Sequence, residues 1–242
     1  MIQLVATGQV DYAIAGADDV ILARARGIDI VAVFATFQSS PLGVMLHESR
    51  GVTRLEDLAS GTLALEPGLP FGAYLKKKYA WKGVTLVPYD GGIAKFLGDK
   101  DHAQQCYVTS EPIAARQKGA KPRVIAASET GFDPYAAVVV VRGALLRDKP
   151  DQVRAFVGAT REGWKAYLAD PKPANATMGK LNPAMDAETF AAAAEAQRPL
   201  IAKEGTPLGA MTEERFRVLG EQLASTGQIE KIPPVSECWK QP

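Results

Sequence analysis

Between Ile28 and Phe37 only Asp29 and Thr36 interrupt an otherwise apolar run. A run of that length without alternation is a strand covered on both faces, as in a sheet flanked by helices. A second such run, Ala136–Val141, ends in four consecutive valines. Around and between the two, short strands alternate with capped helices. Asp11–Gly16 reads as a strand, and Asp18 caps a helix over Asp19–Arg26 that Gly27 ends. Gly43–His47 is a strand, and Thr53–Glu56 carries a capping-box pattern before a stop at Gly61. Strands over Thr62–Glu66 and Thr85–Tyr89 flank the Gly/Pro-rich loop Pro67–Gly72 and a helix over Ala73–Trp81. Gly91-Gly92 opens a short helix through Leu97. Cys106–Val108 is a strand; Thr109 or Ser110 caps a helix that begins at Glu111-Pro112 and closes at Gly119. Pro122–Ala127 is a further strand. This order predicts an α/β fold with mainly parallel sheets flanked by helices.

From Asp148 onward the pattern is helical. Val153, Phe156, Val157, Thr160, Trp164 and Tyr167 form one side of a long helix, and helices follow over Ala187–Lys203 and Thr212–Ser225. The tail from Ile232 reads as irregular. Ala136–Val141 and these helices have no place in the middle sheet, so they are expected to return to the first. The predicted division is therefore 1–40 plus 133–242 for lobe one, and 41–132 for lobe two.

The formal net charge of +1 gives no footprint for nucleic acid or an anionic membrane surface. No apolar run approaches the ~20 residues of a membrane span. Cys106 and Cys238 lie far apart without metal-ligand neighbours, and no cofactor or metal is expected. His47 and His102 are the only histidines. His47 is expected on a strand and His102 in a charged loop, neither with a nucleophile or metal partner at the required spacing. The segment Met1–Gly8 reads as the tail of a helix closed by glycine.

Several segments together resemble a known family. These are Gly8–Ala15, Ala23–Gly27 and Phe37–Val44, with Asp57-Leu58 followed by Gly61, and the turn Gln105–Pro112. Their order and spacing resemble type II periplasmic binding proteins, in the branch of thiamine-pyrimidine synthases and of nitrate, sulfonate and pyrimidine-precursor binders. The likeness covers roughly Gln3 to Leu168. It implies a two-lobed, monomeric solute receptor of an ABC importer that closes on a small molecule and meets a membrane permease. It also implies a periplasmic protein or extracytoplasmic lipoprotein in full-length form. That family begins with an additional strand and helix, so the chain is expected to lack the first strand and helix of lobe one. An enzyme of the same fold in pyrimidine synthesis and a nitrate or sulfonate receptor are the alternatives. The cysteine-rich iron motif of the eukaryotic pyrimidine synthases is not found here.

In such folds ligands lie at the turns leaving the carboxyl ends of strands. That rule selects Gly16, Ala17 and Asp18; Phe37, Gln38 and Ser39; Pro70 and Phe71; Tyr107, Thr109 and Glu111; and Tyr135. The aromatics suit a flat heterocycle, with Glu111 accepting from a ring amino group. Core packing is the ordinary alternative for each aromatic, and an N-cap role is the simplest one for Asp18. No Arg or Lys falls at these positions in sequence, which favours a neutral or cationic ligand, and a pyrimidine is the expected one.

Overall fold

The computed structural model describes all residues 1–242. The first segment is α1 (Ile2–Ala6), β1 (Ala13–Ala15), α2 (Ala17–Ala25) and β2 (Ile30–Phe37). The middle segment holds β3 (Leu42–His47), β4 (Gly61–Leu65), α3 (Pro70–Tyr79), β5 (Val84–Pro88), α4 (Ala94–Gly98), β6 (His102–Tyr107), α5 (Glu111–Gln117) and β7 (Pro122–Ala126). The last holds β8 (Ala136–Arg142), α6 (Gly143–Asp148), α7 (Pro150–Ala169), α8 (Lys172–Leu181), α9 (Ala187–Ile201), α10 (Glu213–Ser225) and α11 (Val235–Cys238). No helix is long and apolar enough to cross a membrane.

The chain divides into two compact units. One comprises Met1–Ser40, Asp133–Pro171 and Arg198–Pro242; the other comprises Pro41–Phe132 and Lys172–Gln197. The segment Lys172–Gln197 thus groups with the second unit and not, as expected, with the first. A side-chain bond from Gln117 Nε2 on α5 to Thr189 Oγ1 on α9, 2.9 Å, accounts for part of that attachment.

The first unit's sheet has the order β1-β8-β2, with β8 antiparallel to both neighbours. Every residue of β2 up to Thr36 is buried, as the apolar run requires. Val31, Val33 and Phe34 nevertheless share one core cluster with Val139, Val141, Val153 and Val157. Adjacent residues do this because the register slips between Ala32 and Phe34, a bulge that turns two successive side chains the same way. On α7 the predicted apolar side is real, although Phe156 stays 39% exposed and stacks on Tyr12 with centroids 3.7 Å apart.

The second unit's sheet has the order β5-β4-β6-β3-β7. The ladders of β4 with β5 and β6 are parallel, while β3 runs against β6 and β7. In each sheet the strands share one direction except for one, β8 or β3. Because that reversed strand sits between others, most ladders are antiparallel despite the shared direction.

Several local expectations are corrected. Asp18 is not the cap of α2. The N-cap is Gly16, and Asp19, in the third helical position, reaches back to accept from Gly16 N at 3.0 Å. His102 is not in a loop: β6 begins there, and the ring is buried. Thr53–Glu56 forms no helix beyond the single turn Leu55–Asp57, because β4 starts at Gly61 and leaves no room. The tail is also more ordered than expected: α11 forms, and Trp239 bridges to Ala32 at the edge of β2.

Candidate functional site

In the first unit Ala15 pairs with Val138 and Phe37 with Ala136, so the carboxyl ends of β1 and β2 meet the start of β8. This places Gly16–Asp18, Gln38–Ser40 and Asp133–Tyr135 at one end of the sheet. Ala17 N donates to Tyr135 O at 3.1 Å, tying the start of α2 to that end. Gln38 is buried, and its amide donates to Ala35 O and Ala210 O. Backbone N–H groups of Gln38 and Ser39 both donate to Leu200 O. Phe37 and Ser39 are half-buried.

Asp18 stands out electrostatically. Burial first, and then the charge of Asp19, push its carboxyl up to about 6, against the pull of nearby backbone amides. A half-buried carboxylate whose charged neighbour is another acid costs stability, and such groups concentrate at functional positions.

Tyr135 does not line an open face. It is 3% exposed, and its hydroxyl accepts from Thr212 N at 3.1 Å, with Thr212 Oγ1 at 3.5 Å. Its ring packs on Phe216. The hydroxyl's need for a polar partner is thus met inside the unit, by the N-cap of α10. Tyr135→Phe is expected to lower the melting temperature by about 2–4 °C, the effect of one hydrogen bond of about 1 kcal/mol, and to leave ligand affinity unchanged. A thermal melt with a parallel binding titration checks both.

The absence of a cation near these turns, expected from sequence position, is also corrected. Arg215, on α10, donates to Gln38 O at 2.5 Å and to Asp133 O at 2.6 Å.

In the second unit Leu65 pairs with Pro88, and Leu42 with Tyr107. The residues following β4, β5 and β6 therefore gather at one sheet end. Glu111, first in α5, is held by two donors. Tyr89 hydroxyl donates to Oε1 at 2.7 Å, and Tyr107 N donates to Oε2 at 2.8 Å. The side-chain cap expected of Thr109 or Ser110 does not form: Ser110 is the N-cap but makes no side-chain bond, and the Glu111 carboxylate instead ties α5 to the ends of β5 and β6. Burial, and next the bond to Glu111, push the Tyr89 hydroxyl above its ordinary range. Beside them Gln105 is buried; its amide donates to Glu66 Oε2 at 3.2 Å, and its carbonyl accepts from Glu66 N at 3.1 Å. Tyr107 is 46% exposed and Thr109 half-buried.

Pro70 and Phe71 open α3 but are buried, and Phe71 packs on Phe132 with centroids 5.7 Å apart. Of the four aromatics expected at strand ends, Phe37 and Tyr107 remain accessible, while Phe71 and Tyr135 are core. Tyr89 and Glu66 end strands that were legible in sequence, so the strand-end rule would have selected them. Arg215 and Asp133 carried no such signal.

The potential nucleophiles are quiet. Burial pushes the Cys106 thiol far up and that of Cys238 up to about 11, the reverse of activation. His47 is buried, stacked on Phe96, with Nε2 2.6 Å from Phe96 O. Burial lowers the His102 pKa.

The family model described as NMT1/THI5 like matches residues 1–174. The riboflavin-binding protein RibY of Chloroflexus aurantiacus is 27% identical over 175 residues, which cover 69% of this chain and 50% of that protein. The chain thus spans about half the length of this curated relative. Among solved structures, the periplasmic aliphatic sulphonate binding protein SsuA from Escherichia coli superposes with a TM-score of 0.78 at 14% identity, covering 100% of this chain and 79% of that one. The desulfurization enzyme DSZB superposes with a TM-score of 0.66 at 14% identity, covering 95% and 82%. At such identities both share the fold, one with a binding protein and one with an enzyme. The family match, which takes in most of the chain including both strand-end faces, is what decides membership: the chain belongs to the NMT1/THI5-like family.

Proposed function

We propose that the chain is the solute-binding receptor of an ABC importer, acting as a monomer with a membrane permease. Its ligand is a small nitrogen heteroaromatic, a pyrimidine or a fused ring that contains one. The observation that carries this reading is the chemistry of the strand-end faces. Asp18 in the first unit, and Glu66 and Glu111 in the second, present carboxylates held by amide, backbone and phenol donors and not by cations. Such acceptors match ring N–H and amino groups and repel sulfonate or nitrate. Exposed Tyr107 and half-buried Phe37 supply apolar area for a flat ring. The relative named for riboflavin binding supports a ligand of this class. Gly16, Ala17, Gln38, Ser39 and Thr109 complete the proposed contacts.

The test is a thermal-shift screen against riboflavin, thiamine and aminopyrimidines, with taurine, alkanesulfonates and nitrate as the opposing set. A heteroaromatic at a hundred times its Kd is expected to add about 2.7 kcal/mol, or roughly 5–10 °C for a chain of this size, and to be recovered unchanged. A shift confined to the sulfonates or nitrate rejects the ligand class. Catalytic consumption of a compound rejects the receptor reading in favour of an enzyme. Within the same screen, Glu111→Gln is expected to weaken an amino-substituted ring about tenfold or more, since a buried donor that loses its acceptor costs about 1–3 kcal/mol. An unsubstituted ring should be less affected, and equal losses for both would remove Glu111 from the recognition argument.

A further inference from the structure

The chain leaves the first unit and returns to it twice, and the first excursion is bounded by two segments. The chain leaves after Ser40 and returns at Asp133. One side chain binds both segments. Arg215 donates through one guanidinium nitrogen to Gln38 O at 2.5 Å and through the other to Asp133 O at 2.6 Å. The second nitrogen also lies 3.4 Å from Asp133 Oδ2. The other oxygen of that carboxylate accepts from Ser40 N at 2.7 Å, closing a ring of contacts from Arg215 through Asp133 to the turn after β2. The guanidinium lies over the Tyr135 ring, 3.8 Å from its centre. Thr212, three residues earlier, caps α10 and donates to the Tyr135 hydroxyl, which fixes where Arg215 starts.

A planar fork is suited to this task, because two divergent N–H groups fix two carbonyls relative to each other. A lysine ammonium is a single point and cannot hold both in one geometry. Gln38 and Ser39 donate to Leu200 O on the other side, so the turn is gripped from two directions.

We propose that Arg215 is a positioning residue: it sets the mutual register of the turns Gln38–Ser40 and Asp133–Tyr135, and thereby the affinity of the face they form. The affinity half rests on the receptor reading above; the register half does not. Arg215 lies outside the family-matched residues 1–174, while the groups it holds, Gln38, Asp133 and Tyr135, lie within them.

The experiment is amide hydrogen exchange on the ligand-free protein, with binding titrations against riboflavin and an aminopyrimidine. The variants are Arg215→Lys and the milder Asp133→Asn, which keeps an acceptor for Ser40 N. Arg217→Met is the control, since Arg217 lies on the same helix but pairs only with exposed Glu214 and Glu221. The expected result is exchange at least tenfold faster at Ser40 and its neighbours in Arg215→Lys, with Kd raised about tenfold, a smaller change of the same kind in Asp133→Asn, where only the Arg215–Asp133 carboxylate contact is weakened, and no change in the control. Unchanged exchange at these amides overturns the proposal, as does acceleration spread evenly over the first unit. Local acceleration with unaltered Kd overturns its affinity half. If the wild-type protein binds neither compound, the receptor reading falls, and exchange alone decides the positioning role.

Discussion

Gly209→Ala is expected to lower the stability of the first unit by about 3–6 kcal/mol, enough to drop its melting temperature by more than 10 °C. Two independent constraints add at this position. Gly209 has φ +87°, where a side chain is strained by roughly 1–2 kcal/mol. A Cβ there would also stand 2.1 Å from Cε2 of the Phe34 ring. That ring is fully buried in the valine cluster and has the Arg161 guanidinium 5.9 Å from its centre, so it has nowhere to retreat. If the backbone moved instead, it would draw Gly209 O away from Ala35 N, the bridge along β2. Gly205→Ala separates the two costs. Its φ is +73° but nothing lies within 4 Å of the added carbon, so about 1 kcal/mol is expected there. Equal losses for the two variants, read by thermal or urea unfolding, would show that the Phe34 contact does not matter.

Asp18→Asn is expected to raise stability at neutral pH by about 1–3 kcal/mol. The folded-state pKa, about 6, lies above the ordinary aspartate value of about 3.9. Between about pH 4 and 6 the folded chain therefore holds a proton that the unfolded chain has released. Stability is greatest below about pH 4 and falls as pH rises toward about 6, after which the contribution is level. The full displacement corresponds to about 3 kcal/mol, and partial exposure of the carboxyl lowers that figure. Asparagine carries no charge, so the variant should match the wild type near pH 4 and exceed it from about pH 6.5. The difference between their melting temperatures, followed from pH 4 to 7.5, isolates Asp18 from the other carboxylates. A pH-independent difference would mean that burial of Asp18 has no electrostatic cost. Retention of so unfavourable a carboxylate fits a group whose partner is the ligand, and a donor-bearing ligand should stabilise the wild type more than the variant.

The strands were legible wherever an apolar run had clear ends. β2 and β8 are buried as their composition demands, and β8 joins the first sheet by pairing with both β1 and β2. What the sequence concealed were pairings over distance. Nothing near Tyr135 announces that its hydroxyl will be met by Thr212, or that Arg215 will lie on its ring. The sequence does not locate the cap of α2, because Asp18 and Asp19 are chemically alike and only the helix register decides which of them reaches Gly16. His102 reads as a loop residue because its charged neighbours Asp99–Asp101 mask the start of a buried strand.

The place of β8 has a consequence for how the chain matures. It is the middle strand of the β1-β8-β2 sheet, yet it is made last of the three, after the bulk of the second unit. At about 5–20 residues per second, the stretch from Phe37 to Ala136 takes the ribosome on the order of ten seconds. Throughout that interval β1 and β2 lack their ladders with β8, and they do not pair with each other. The second unit's sheet needs nothing synthesised after β7, so it can close first. The apolar β2 must meanwhile be shielded by collapse or by a chaperone, and the first unit assembles only as a late, long-range event.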